Sequence, residues 1–171
     1  MDEISQTLHP VHELATSGNQ RSVEDRKLYR AGQLNGSVLR DMLTRHGIRT
    51  TVNLRGVGTG QSWYEDELLV SKALGVLHFD FALSLRQEID DETLRHLLRL
   101  LQKVPTPLLI HCSAGAHRVG LVAAIFQWGV LRRPPAEARK QLLPWYNPVP
   151  WLSAHIQAMD RTFDRFIKIA M

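Results

Sequence analysis

Short apolar segments alternate in this chain with longer segments whose apolar residues recur at the helical period. The leucines near residues 94–101 show this period, which predicts a helix that begins at Asp90 or Asp91 and ends at Lys103. Ser37 is expected to cap the first helix of the chain, and residues 62–65 have the spacing of a capping box. Five further helices are predicted at residues 38–46, 63–74, about 118–131, 135–143 and 153–169, and strands at residues 27–30, 48–54, 76–81 and 107–111.

This alternation of strands and helices is typical of an α/β fold with a central, mostly parallel, twisted sheet that is flanked by helices. The chain has 171 residues and no internal repeat, so we expect one domain at residues 27–171 after a polar lead-in at residues 1–26. Ligands of such sheets bind beyond the carboxyl ends of the strands. The residues that follow the strand at 107–111 are therefore the first candidates for a functional site.

Composition narrows the kinds of partner. The net charge of +4 and the pI of about 9.6 suit an anionic ligand. Basic and aromatic residues are not interleaved, so we expect no nucleic-acid partner. The single cysteine excludes an intramolecular disulfide and suits a reducing compartment. Because the sequence shows no apolar leader and no stretch of membrane-spanning length, we expect a cytoplasmic protein without a membrane partner.

That single cysteine directly follows the last predicted strand. Cys112 lies six residues before Arg118, and we call residues 112–118 the signature loop. Backbone N–H groups in such a strand-to-helix turn bind phosphate, and a guanidinium bonds two phosphate oxygens at once. The same positive field favours the thiolate form of Cys112. The predicted phosphate-binding residues are Ser113, Ala114, Gly115, Ala116, His117 and Arg118, and the sequence shows no metal-ligand spacing, so we expect no metal or cofactor.

Residues 111–120 resemble the Cys-x5-Arg signature of the protein tyrosine phosphatase superfamily, His-Cys-x-x-Gly-x-x-Arg followed by Ser or Thr and then Gly. Residues 28–33, 52–56, 63–64 and 78–84 are similar to successive blocks of small bacterial phosphatases of the dual-specificity type. The resemblance implies the Cys-x5-Arg phosphatase fold and a phosphocysteine intermediate formed on Cys112. Val119 departs from the pattern, because the family carries there a hydroxyl that bonds the cysteine sulfur and helps the thiolate leave.

The resemblance also implies a carboxylic acid that protonates the leaving oxygen and later activates water. Asp80 is the preferred candidate, because it ends a predicted strand and its separation of 32 residues from Cys112 is similar to that in the family. Glu88 is the next candidate, and Asp90 is a third whose competing role is to cap a helix.

Several functions stay open at this stage. The expected activity is hydrolysis of phosphate monoesters, chiefly phosphotyrosine with phosphoserine and phosphothreonine as further substrates, on a phosphorylated protein or a small phosphate ester. One alternative is an inositol phosphate or phosphoinositide phosphatase. His117 is similar to the histidine before the signature arginine in phosphatases of inositol pyrophosphates, although residues 113–116 are neutral here. Another alternative is a catalytically impaired phosphate-binding protein, because Val119 donates no hydrogen bond.

Three other groups have expected roles near this site. Arg86 is placed to reach a second phosphate from the loop after the strand at 76–81. Arg55 is expected to brace the site, and His111 to orient the signature loop by hydrogen bonding. The aromatic segment 145–151 is expected to be a packed connection to the last helix.

Overall fold

The computed structural model describes residues 18–142 and 154–169, and the aromatic segment 145–151 lies outside them. In the described residues, five strands form one sheet in the order β1-β2-β5-β3-β4. The strands are β1 (Arg21–Glu24), β2 (Leu28–Ala31), β3 (Thr50–Asn53), β4 (Leu77–Asp80) and β5 (Leu108–His111). All neighbours are parallel except β1, which runs antiparallel to β2. The predicted α/β fold with a mostly parallel sheet is confirmed.

Six α-helices accompany the sheet in the described parts of the chain. They are α1 (Gly36–Arg45), α2 (Ser62–Leu74), α3 (Asp91–Lys103), α4 (His117–Ile125), α5 (Pro135–Ala138) and α6 (Ala154–Ile169). A π-helical segment, Phe126–Val130, continues α4, and a 3-10 turn, Arg139–Leu142, follows α5. No helix within residues 18–142 and 154–169 has the length and apolar character needed to cross a membrane.

The two faces of the sheet pack against different helices. Because successive side chains of a strand point to opposite faces, Leu108 and Ile110 lie in one buried cluster and Leu109 in the other. The larger cluster contains buried residues of α3, α4 and α6, and the smaller one contains buried residues of α1 and α2. Helices on both faces leave the carboxyl ends of the parallel strands as the edge where the loops meet.

Several element boundaries differ from the prediction. β1 lies in the polar lead-in, where the pattern predicted no strand, and it pairs with β2 at the edge of the sheet. Asn35, not Ser37, caps α1, because its side-chain oxygen accepts a hydrogen bond from the Val38 N–H at 2.9 Å. The predicted continuous helix to Leu131 changes at Phe126 into the π-helical segment.

Two predicted helix starts had opposite outcomes. Asp90 caps α3 as expected, with its Oδ1 accepting from the Thr93 N–H at 2.9 Å. The capping box predicted for α2 does not form, because Gln61 occupies the N-cap position without a side-chain cap bond. Glu65 instead accepts a hydrogen bond from the Gly60 N–H at 3.0 Å.

Candidate active site

The signature loop joins the end of β5 to the start of α4. Cys112 is 2% exposed, and its Sγ accepts a hydrogen bond from the Gly115 N–H at 3.3 Å. Gly115 has φ +70°, and a Cβ at this position would lie 2.5 Å from the backbone nitrogen of Gly32. The loop therefore needs glycine at position 115 both for its backbone conformation and for its contact with the residue after β2.

Neighbouring residues hold the loop by its carbonyl groups. The buried Arg30 of β2 donates to the Ala116 carbonyl at 2.9 Å and to the Gly115 carbonyl at 3.3 Å. Asn19 also donates to the Gly115 carbonyl, at 2.9 Å, and the Gln33 N–H donates to the Ser113 carbonyl at 3.0 Å. In a tight turn, N–H and carbonyl groups point to opposite sides, so bonds on the outer carbonyls leave the N–H groups on the concave side with Cys112.

Arg118 is fixed inside the same loop. Its side chain is buried, with Nη1 donating to the Leu54 carbonyl at 3.1 Å and Nη2 donating to the Ser113 hydroxyl at 3.0 Å. The buried Nε has no hydrogen-bond partner within the described residues. A buried donor without a partner is costly, so this N–H is available for an acceptor that enters the loop.

A second arginine, Arg55, follows β3 beside the loop. Its Nη1 donates to the Gln33 side-chain oxygen at 2.9 Å, and its Cζ lies 3.7 Å from the centroid of a Trp63 ring. Burial and the positive charge of Arg118 lower the pKa of Arg55, while the charges of Cys112 and Glu67 act in the opposite direction. The guanidinium groups of Arg55 and Arg118 are therefore close enough for their charges to interact.

Glu67 of α2 forms a buried polar contact with the sheet. It is 1% exposed, and its Oε1 lies 2.6 Å from His111 Nε2 and 3.4 Å from His78 Nδ1. Its other oxygen accepts a hydrogen bond from Gln33 at 3.3 Å. His111 directly precedes Cys112, so the expected hydrogen bonding of this histidine is present, with Glu67 as the partner.

Asp80 ends β4 and is held from three sides. It accepts hydrogen bonds from Tyr64 at 2.5 Å and from Asn53 at 2.8 Å, and His78 Nε2 lies 3.2 Å from its Oδ1. Burial raises the pKa of Asp80, but the hydrogen bonds from Tyr64, Asn53 and His78 outweigh it, so the pKa lies below its usual value. The same Tyr64–Asp80 hydrogen bond is the main cause that raises the pKa of Tyr64 to about 12.

The other two candidate acids have different surroundings. Glu88 is exposed and pairs with Arg161 and Arg165 of α6. The hydrogen bond from Arg161 lowers the pKa of Glu88. Asp90 caps α3, and the hydrogen bonds from Thr93 lower its pKa. Both carboxylates are thus engaged in holding helices.

Sequence reasoning missed most of the supporting polar residues. Asn19 and Glu67 carry no motif, and the blocks that contain Arg30, Gln33 and Tyr64 assigned these residues no role. Their roles depend on which strands are neighbours. One usable signal was present in α2, where Glu67 and Ser71 occupy the buried face together with Tyr64 and Val70. In the described parts of the chain, no group of three or more His, Cys, Asp or Glu residues is arranged to hold a metal ion.

Comparisons with known proteins identify the family of this chain. Residues 11–130 match the family model described as "Tyrosine phosphatase family". A match over this much of the sequence shows that the chain belongs to the tyrosine phosphatase family, and it is a phosphatase of that family. A search of curated proteins gave no match.

Solved structures show the same fold at low sequence identity. TpbA from P. aeruginosa is 22% identical with a TM-score of 0.68, covering 91% of this chain and 93% of that one. A cysteine-to-serine variant of TpbA in complex with pTyr is 20% identical with a TM-score of 0.65, covering 88% and 91% of the two chains. PTPMT1 in complex with PI(5)P is 12% identical with a TM-score of 0.58, covering 89% and 99%. This chain therefore has the protein tyrosine phosphatase fold.

Proposed function

We propose that this protein hydrolyses phosphate monoesters through a phosphocysteine intermediate, with phosphotyrosine as its main substrate and phosphoserine and phosphothreonine as further ones. The observation that carries the proposal is the presence, in one loop, of the buried Cys112 and of an Arg118 Nε–H that has no hydrogen-bond partner among the described residues. The likeness to TpbA, which has been solved with pTyr, supports the choice of phosphotyrosine. The reduced thiol that this chemistry requires suits the cytoplasm.

The first half-reaction transfers the phosphoryl group to sulfur. The Cys112 thiolate attacks phosphorus, a P–S bond forms, and the P–O bond to the leaving group breaks. Backbone N–H groups of residues 113–117 and the guanidinium of Arg118 stabilise the charge on the equatorial oxygens. Asp80 is the proposed proton donor to the leaving oxygen.

The second half-reaction returns the enzyme to its starting state. Water gives a proton to the Asp80 carboxylate and attacks phosphorus, the P–S bond breaks with its electron pair returning to sulfur, and inorganic phosphate leaves. Val119 is buried where the family has a hydroxyl, so we expect this step to be the slower one. A protein that forms the intermediate and then stalls is the second candidate function, and the same valine favours it.

The test is rapid-mixing hydrolysis of para-nitrophenyl phosphate by the wild type and by Cys112→Ser. We expect the wild type to release about one equivalent of nitrophenolate in a burst and then to continue at a slower steady rate, as a two-step covalent mechanism requires. Cys112→Ser should show neither phase, with inorganic phosphate binding as the control for folding.

Each other outcome has a distinct meaning. A burst without further turnover favours the stalled phosphate-binding protein over the phosphatase. Equal turnover by Cys112→Ser would show that sulfur is not the nucleophile. Turnover of soluble inositol phosphates or phosphoinositides, without turnover of phosphotyrosine peptides, would favour an inositol phosphate or phosphoinositide phosphatase. PI(5)P, which is bound in the PTPMT1 complex, belongs to this substrate class.

A further inference from the structure

Arg55 has an unusual electrostatic position for a partly buried arginine. Within residues 18–142 and 154–169, no carboxylate forms an ion pair with Arg55. Burial and the charge of Arg118 lower the pKa of Arg55, and the charges of Cys112 and Glu67 raise it. Partly buried cations without a paired anion are unfavourable, so an anion bound nearby would be stabilised by both arginines.

The position of Arg55 relative to the signature loop is fixed by two connections. The residue before it, Leu54, gives its carbonyl to Arg118 at 3.1 Å. Its own guanidinium is bonded to Gln33, whose backbone N–H bonds the Ser113 carbonyl at 3.0 Å. Arg55 is therefore joined to both ends of the loop that holds the proposed phosphate.

The guanidinium is also held in place before any ligand binds. Trp63 stacks on it, with the Arg55 Cζ 3.7 Å from the ring centroid, and Gln33 accepts a hydrogen bond from Nη1, one of its three nitrogens. A stacked, planar arginine keeps its other donors in a fixed fork, which suits carboxylate or phosphate oxygens. The loop that carries it reaches solvent at Val57, which is 68% exposed.

We propose that Arg55 is a specificity-determining residue that binds a second anionic group of the substrate, next to the phosphate ester held by the signature loop. This inference deepens the proposed function and rests on it. It assigns to the site a substrate class with two neighbouring anions, the second being a carboxylate or another phosphate. The bracing role expected for Arg55 and the contact with this second anion are compatible, because Gln33 and Trp63 leave the rest of its donor fork unused.

The first arm of the test measures binding without turnover. Isothermal titration calorimetry compares inorganic phosphate with pyrophosphate in the wild type, Arg55→Gln and Arg99→Gln. We expect the wild type to bind pyrophosphate more tightly than phosphate. In Arg55→Gln this ratio of affinities should fall about tenfold, which corresponds to the loss of one charge-assisted contact. Arg99→Gln removes the same charge from an exposed position of α3 and should keep the preference.

The second arm measures the ratio of kcat/KM for two phosphotyrosine peptides that differ only by Glu or Gln beside the phosphotyrosine. The ratio is unaffected by a general loss of activity in a variant. Arg55→Lys should keep part of the selectivity that Arg55→Gln loses, because lysine retains the positive charge. Loss of selectivity in the peptide arm alone identifies the second group as a carboxylate. Loss in the pyrophosphate arm alone identifies it as a phosphate.

Three outcomes would overturn the proposal. The first is a wild type that prefers neither pyrophosphate nor the Glu peptide. The second is an Arg55→Gln variant that keeps both preferences. The third is loss of both preferences in Arg86→Gln but not in Arg55→Gln. The binding arm does not depend on catalysis. A wild type that binds phosphate and pyrophosphate but hydrolyses no substrate would therefore contradict the proposed function, while the calorimetry would still test the role of Arg55. Circular dichroism of Arg55→Gln and Arg55→Lys separates loss of binding from loss of folding.

Discussion

Val119 is fully buried in the first turn of α4 and belongs to the same apolar cluster as Cys112. A valine there packs as well as a threonine would, but it offers no hydrogen bond to a departing sulfur. The position of the valine next to Arg118 was evident from the sequence, because the spacing of the signature is local. In the proposed mechanism, the missing hydroxyl affects the second half-reaction, in which the thiolate leaves phosphorus.

We predict that Val119→Thr speeds the steady-state turnover of para-nitrophenyl phosphate by about tenfold, because a hydrogen bond to a charged group contributes about 1.5–3 kcal/mol. The burst rate should change much less, since formation of the phosphocysteine does not require this hydroxyl. Pre-steady-state kinetics measure the two rates in one experiment.

The matched control is Val122→Thr, which places a hydroxyl at an equally buried position one turn further along α4. This control should lose stability, because a buried hydroxyl without a partner costs about 1–3 kcal/mol, and should gain no turnover. If both variants speed turnover equally, the effect comes from loosening the helix and not from a bond to sulfur.

At the scale of elements, the informative case is the face of α2 that packs on the sheet. Its amphipathic pattern is weak, because the buried side contains Glu67 and Ser71 beside Tyr64 and Val70. The helical period places Glu67 one turn after Tyr64 on the buried face, but only the neighbouring strands reveal its partners. His78 of β4 and His111 of β5 lie on separate strands, so no local spacing connects them with Glu67.

We predict that Glu67→Gln lowers the free energy of unfolding by about 2 kcal/mol, because the change replaces a charge-assisted bond to His111 with a neutral one and weakens the contact with His78. Urea denaturation at neutral pH measures the change. Turnover should fall as well, since His111 directly precedes Cys112, the proposed nucleophile.

Glu65→Gln is the matched control, with the same substitution on the same helix at an exposed residue. We expect this variant to lie within about 0.5 kcal/mol of the wild type, as surface substitutions usually do. Equal destabilisation by both changes would show that the charge of α2, and not the buried contact, determines the effect.

At the scale of the whole molecule, the sheet order brings distant parts of the sequence to one edge. Asn53 is in register with Asp80 on one side and with His111 on the other. Two strand spacings of about 5 Å put the backbone of Asp80 roughly 10 Å from that of His111. The alternation of strands and helices predicted a parallel sheet. It did not predict the order of the strands or the hydrogen bonds to Asp80. These features depend on packing between segments far apart in the chain.

The position of Asp80 between three elements leads to a prediction about stability and pH. Its folded-state pKa is lowered, so its carboxylate stabilises the fold fully above the ordinary aspartate pKa of 3.8 and loses that effect as the pH falls through the folded value. Asp80→Asn should therefore be less stable than the wild type at neutral pH, and the difference should shrink at acid pH. Urea denaturation across the range below about pH 5 measures this.

The same variant separates an anchoring role from proton donation. A lowered pKa leaves little protonated Asp80 at neutral pH in the free protein, so we expect its acid role to matter most for leaving groups that need a proton. Asp80→Asn should reduce kcat/KM for a phosphoserine peptide about tenfold more than for para-nitrophenyl phosphate, whose leaving group departs readily as an anion. A proportional loss on both substrates, together with the predicted pH dependence of stability, would make Asp80 an anchor between β3, β4 and α2. The leaving oxygen would then take its proton from another group or from water.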